Sequence, residues 1–136
     1  MEFANRKPEP PGRNQSHDSL GSALYKVLEG IRKTWQLGQN DLASILHREP
    51  STISTWKNQQ SVSVSKENPS PNDAQIFELV EFFDSLTSLI VRDEDQIQWL
   101  KTKSVEFGDK CPMELLRVNS KNLFALREHI DRIARP

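Results

Sequence analysis

The segment 39–58, Gln-Asn-Asp-Leu-Ala-Ser-Ile-Leu-His-Arg-Glu-Pro-Ser-Thr-Ile-Ser-Thr-Trp-Lys-Asn, constrains the fold more than any other stretch of this chain. It spells two short helices joined by a tight turn. Leu42, Leu46, Ile53 and Trp56 supply an apolar wedge, each side chain worth roughly 1.5–3 kcal/mol on burial, and Ala43 is the small residue that a close crossing requires. The second helix keeps Ser51, Thr52, Ser54, Thr55, Lys57 and Asn58 for its outward face. This is the pattern of a helix-turn-helix, which lays one helix in the major groove of DNA. A plain helical hairpin that touches no DNA satisfies the same spacing.

Within the motif, Gln39 opens the first helix, where its side chain and the helix N–H groups can meet a phosphate. Ser51, Thr52 and Thr55 are the candidates for base edges, with Ser54 on the same face, while Lys57 and Asn58 are placed for phosphates. Hydroxyls read bases ambiguously, so no operator sequence follows. One position departs from the pattern. The turn ordinarily takes glycine because the backbone goes left-handed there, and this chain has His47, at a steric cost of about 1–2 kcal/mol. The turn is then either wider than usual or strained.

Helical periodicity continues on both sides. Residues 1–16 carry Pro8, Pro10, Pro11 and Gly12 among charges with no apolar period, and read as a disordered tail. The first helix is expected from near Asp18, with Ser16, Asp18 or Ser19 as N-cap and a stripe of Leu20, Leu24, Val27, Leu28 and Ile31. Trp35 and Leu37 close it and Gly38 ends it. Residues 60–72 are polar, with Pro69 and Pro71 as breakers; the alternation through Val62 and Val64 fits a short strand or, more simply, a loop. Asn72 or Asp73 then caps a long helix to about Ile90, its buried side expected to hold Ala74, Phe77, Val80, Phe83, Leu86, Leu89 and Ile90. A helix over about 93–101 carries Ile97, Trp99 and Leu100. Gly108 marks a loop, Pro112 opens a short helix, and the last helix, about 121–134, turns Leu123, Leu126, Ile130 and Ile133 inward. The expected class is all-α.

At 136 residues the chain supports one domain, or two small ones sharing a core. The hydrophobic fraction of 35% and the mean hydropathy of -0.65 fit a chain that is partly tail. The net charge of -1 hides a segregation. Residues 17–62 are nearly balanced, 67–99 hold eight acids and one base, and 100–136 hold eight bases and five acids. An acidic middle beside a basic end suits protein–protein complementarity, or simply a solvated acidic face. The single Cys111 excludes an internal disulfide and a cysteine-rich metal site, and reads as a packing residue. His17, His47 and His129 are too scattered for a metal cluster, and His129 beside Glu128 and Asp131 reads as a solvated helix face. With no phosphate-binding glycine loop, neither a cofactor nor catalysis is expected. No run is long enough to span a membrane and no signal peptide opens the chain, so a cytoplasmic protein is expected.

The positions Leu37, Gln39, Leu42, Ala43, Leu46, Ser51, Ile53, Ser54 and Trp56 resemble the Xre-type, phage-repressor-like helix-turn-helix family. Further on, Trp99-Leu100-Lys101-Thr102, Gly108, Pro112-Met113-Glu114-Leu115-Leu116 and a final amphipathic helix follow in order. Read alone they are scaffold. In this order, after such a motif, they resemble the toxin-binding domain of the Xre/MbcA/ParS antitoxins, a likeness covering roughly residue 20 to the end. Two positions depart from that family: Cys111 where a threonine usually precedes the proline, and residues 118–122 where a glycine usually stands, so that Asn119 or Asn122 is expected to turn left-handed.

The resemblance implies a chain organised as a tail (1–16), a helix-turn-helix domain with a long connecting helix (17–92) and a small toxin-binding domain (93–136). It implies a cognate RES-type toxin that attacks NAD, occluded by the C-terminal domain, together with operator DNA and a homodimer on a palindromic site. Carried onto this sequence, it points to Lys101, Lys103, Arg117, Arg127, Arg132 and Arg135 as the cations that meet the toxin. Two other readings stand beside it: a stand-alone regulator whose C-terminal helices dimerise or sense a ligand, and a toxin-binding module whose helix-turn-helix no longer contacts DNA.

Overall fold

The computed structural model describes residues 11–64, 71–119 and 121–134. Among them are seven α-helices: α1 (Pro11–Thr34), α2 (Gln39–Leu46), α3 (Pro50–Gln59), α4 (Pro71–Leu89), α5 (Asp93–Lys101), α6 (Pro112–Val118) and α7 (Lys121–Ala134). A 3-10 turn at Val105–Phe107 and a single bridge between Ser104 and Lys110 close the loop after α5. The fold is all-α, as the periodicity predicts. No helix among the described residues is long and apolar enough to cross a membrane.

Proline decides where four helices begin: Pro11, Pro50, Pro71 and Pro112 are each a first helical residue. Its missing N–H has no partner to lose there, and its fixed φ already suits the helix. Two expectations are corrected on this ground. α1 starts at Pro11 rather than near Asp18, so residues 11–16 are helical. α4 starts at Pro71 rather than behind a cap at Asn72 or Asp73. The remainder of the expected tail, 1–10, lies outside the described residues, as does Ser65 at the end of the alternating segment; residues 61–64 form a loop.

Three helices end the same way, and none uses glycine. Gln36 (φ 57°), His47 (φ 54°) and Gln60 (φ 56°) are left-handed after α1, α2 and α3. Each is followed by a six-to-one bond: Leu37 N–H to Arg32 O at 2.8 Å, Arg48 N–H to Ala43 O at 2.9 Å, Ser61 N–H to Trp56 O at 3.1 Å. Gly38, expected to end α1, has φ -82° and is the N-cap of α2 instead. At the corner before α7, Asn119 is extended (φ -152°) and Asn122 is helical, so neither takes the left-handed role expected of it.

One core runs through the whole of the described chain. It joins Leu24, Leu28, Ile31 and Trp35 of the N-terminal part to Leu100, Leu116, Leu123, Leu126 and Ile130 of the C-terminal part, with α4 between them. Ring contacts mark the path: Trp35 meets Phe82 at 6.0 Å and Phe83 at 5.7 Å, Phe82 meets Trp99, Trp99 meets Phe107, and Phe107 meets His129 at 5.2 Å. His129 is therefore half-buried against an aromatic edge, not on a solvated face. Trp35 Nε1 donates to Oε1 of the buried Gln96 at 3.0 Å, and Gln96 Nε2 donates to Ile90 O at 2.8 Å and Thr87 Oγ1 at 3.2 Å. That network satisfies both ends of a buried amide.

The phase of α4 differs from the sequence expectation. Ile76, Leu79, Phe82 and Leu86 are fully buried, with Gln75 beside them, whereas Phe77, Val80 and Phe83 are half-buried and Ala74 and Leu89 exposed. The helix carries two adjacent apolar stripes, and periodicity alone cannot rank them. Packing against α7 selects the first.

Candidate functional site

α2 and α3 pack tightly across the three-residue turn 47–49. Leu42, Ala43, Leu46, Ile53 and Trp56 are all buried, as the wedge requires. On the outward face of α3, Ser51, Ser54, Thr55, Lys57 and Asn58 are exposed, with Thr52 and Gln39 half-buried at its margin. The hydroxyl-bearing side of α3 is thus left accessible. Thr55 Oγ1 donates to Ser51 O at 3.0 Å, so its hydroxyl is already engaged along its own helix.

The turn is held from behind. His47 adopts the left-handed conformation, and its Nε2–H donates to Leu116 O at 3.3 Å, near the C-terminal end of α6. Arg48 lies over the Trp56 ring at 5.4 Å and reaches Asp73 of α4 at 3.6 Å. At the other end of α2, Asp41 Oδ2 accepts the Gly38 N–H at 3.0 Å while Oδ1 accepts from Arg117 Nη2, also at 3.0 Å. One carboxylate therefore caps α2 and ties it to α6.

Two of the cations expected at a toxin are ion-paired within the chain. Arg117 is committed to Asp41. Arg127 is held by both carboxylate oxygens of Glu78 on α4 and by Asp131 at 3.4 Å, and the Glu78 bond holds its guanidinium above its ordinary pKa. It is a cross-link between α4 and α7. Lys101, Lys103 and Arg132 are exposed, and Arg135 lies outside the described residues. Sequence reasoning missed three exposed apolar side chains in this part of the chain: Phe124 is 47% exposed, Val118 71%, and Ile133, expected inward, 50%. Phe124, Arg127, Glu128, Asp131 and Arg132 line an open groove of about 460 Å³ on α7. The available signal was the helical wheel, since Phe124 falls one position off the Leu123–Leu126–Ile130 stripe.

No family model matches this chain, and no curated protein matches its sequence. Its fold is similar to that of a chain in the crystal structure of the M. tuberculosis MbcT–MbcA toxin–antitoxin complex, with a TM-score of 0.53 and 16% identity. The match spans 83% of this chain and 97% of that one. At that identity the likeness concerns the fold.

Proposed function

We propose that this chain is the antitoxin of a toxin–antitoxin pair, a binding protein rather than an enzyme. The observation that carries the reading is the fold match, which takes in nearly the whole of a chain from such a complex and both halves of this one. The residue pattern of an Xre-type motif followed by a toxin-binding segment supports the same conclusion independently.

In this reading the partner is a RES-type enzyme acting on NAD, and neutralisation is steric. The exposed face of α6 and α7 covers the partner's substrate cleft, with Phe124 as an apolar anchor and Lys101, Lys103, Arg132 and Arg135 as the cations around it. Exposed aromatic and apolar side chains of this kind carry most of the energy of protein interfaces. The α2–α3 unit binds the promoter of its own operon, two copies pairing on a palindromic site, with Gln39, Ser51, Thr52, Ser54, Thr55, Lys57 and Asn58 as the contact set.

The test is co-expression. The product of the adjacent gene should be toxic alone, tolerated with this chain, and recovered with it on purification. Phe124→Asp should abolish protection while leaving promoter binding intact. Thr52→Ala with Lys57→Ala should do the reverse. An adjacent product that is harmless alone and does not co-purify removes the antitoxin reading.

A further inference from the structure

A third surface lies on the flank of α3. Lys26, Glu29, Gly30 and Lys33 of α1, with Lys57 and Gln60 at the end of α3, line an open groove of about 520 Å³. The three lysines are exposed, and none is paired with a carboxylate among the described residues. The one carboxylate in the groove, Glu29, is already taken: Arg32 donates to it from Nε at 2.9 Å and Nη2 at 3.0 Å. That bond chiefly, and Lys33 and Lys57 beside it, hold the Glu29 carboxyl below the usual range. Gly30 leaves the floor open, since a Cβ there would meet nothing within 4 Å.

The chemistry of the groove is that of a track and not of a pocket. Lys26 and Lys33 stand two turns apart on α1, about 10 Å along its axis. Lysine is a flexible point charge that suits phosphate oxygens without reading bases. Cations spread over that length match a polyanion with regularly spaced charges better than a single bound anion. Lys57 belongs both to this groove and to the helix whose hydroxyl face points outward, so the two surfaces are continuous.

We infer that the groove between α1 and the end of α3 is a rail for the sugar–phosphate backbone of duplex DNA, gripped by Lys26, Lys33 and Lys57. The inference rests on the DNA-binding part of the function proposed above, and it adds two contacts on a helix outside the motif. These contacts carry no sequence information. They set affinity, register and salt dependence.

The experiment measures binding of the full chain to its own promoter duplex and to a random duplex of equal length across a salt series. At a slope of about -0.9 per neutralised phosphate, K26Q/K33Q should flatten log K against log[salt] by about two units on both duplexes. K101Q/K103Q, of equal charge change, should leave the slope alone, and all variants should keep the wild-type melting midpoint. An unchanged slope in K26Q/K33Q, while the wild type binds its promoter, overturns the rail and spares the DNA-binding reading. Equal flattening by K101Q/K103Q also overturns it, by assigning the effect to net charge. Loss of co-purification of K26Q/K33Q with the adjacent gene product, with its slope intact, makes the groove a protein surface and overturns it too. A wild-type chain that binds neither duplex removes the underlying reading, and the rail with it.

Discussion

His47 shows how a single side chain can hold strain and offset it. Its left-handed backbone costs about 1–2 kcal/mol relative to glycine, and its bond to Leu116 O returns about 0.5–1.5 kcal/mol. His47→Gly removes both and should leave stability near the wild-type value. His47→Ala keeps the strain and loses the bond, and should be less stable than His47→Gly by roughly 1–2 kcal/mol in urea unfolding. Equal midpoints for the two variants contradict this account. The anomaly itself was legible in the sequence, because the motif wants glycine there. Its resolution was not, since the accepting carbonyl lies 69 residues away. Gln96 was hidden for a similar reason: nothing local marks a glutamine whose partners are Trp35, Thr87 and Ile90 O. Trp35→Phe strands the Gln96 carbonyl and should cost about 1–3 kcal/mol, read as a lower unfolding midpoint.

At the scale of the helix, boundaries depended on residues that serve two purposes. Pro112 reads correctly as a helix opener because an apolar period follows it at once. Pro11 and Pro71 sit in polar surroundings, where the same residue looks like a breaker, and the structure starts helices at both. Glycine repeats the lesson within α1. Gly21 lies against the loop after α3, where Val62 N–H donates to Gly21 O at 3.1 Å, and an added Cβ would stand 2.6 Å from Val62 O. Gly21→Ala should therefore destabilise by about 1–3 kcal/mol, as overpacking does. Gly30→Ala has open space and should stabilise by about 0.5–1 kcal/mol. Thermal melts of the two variants should shift in opposite directions; a shift of the same sign in both would sink the packing argument. α6 offers a pH test. Glu114 accepts the Cys111 N–H at 3.1 Å, which holds its carboxyl below the usual range. A depressed folded pKa stabilises above the ordinary carboxylate value and loses that contribution as pH falls through the folded value. Glu114→Gln should accordingly narrow the stability difference between about pH 7 and about pH 3.

Across the whole molecule, sequence periodicity gave the all-α class and the helix order, because both are written locally. The shared core was not written locally. It depends on α4 presenting one of two apolar stripes to α7, and on ties such as Asp41–Arg117 and Glu78–Arg127 that join distant segments. The same ties explain why candidate contact residues sorted unevenly. The outward face of α3 follows from helix geometry, whereas the freedom of a cation depends on which carboxylate reaches it, and two of the expected contact residues, Arg117 and Arg127, are also ion-paired within the chain. Phe124 and Arg132 are exposed on α7 beside the same groove, and the proposed neutralising surface is centred there. The most direct measurement is growth of cells expressing the adjacent gene with wild-type chain or with Phe124→Asp, alongside promoter binding by both proteins. The account predicts rescue by the wild type, no rescue by Phe124→Asp, and equal promoter binding. Full rescue by Phe124→Asp, or an adjacent gene harmless without this chain, would contradict it.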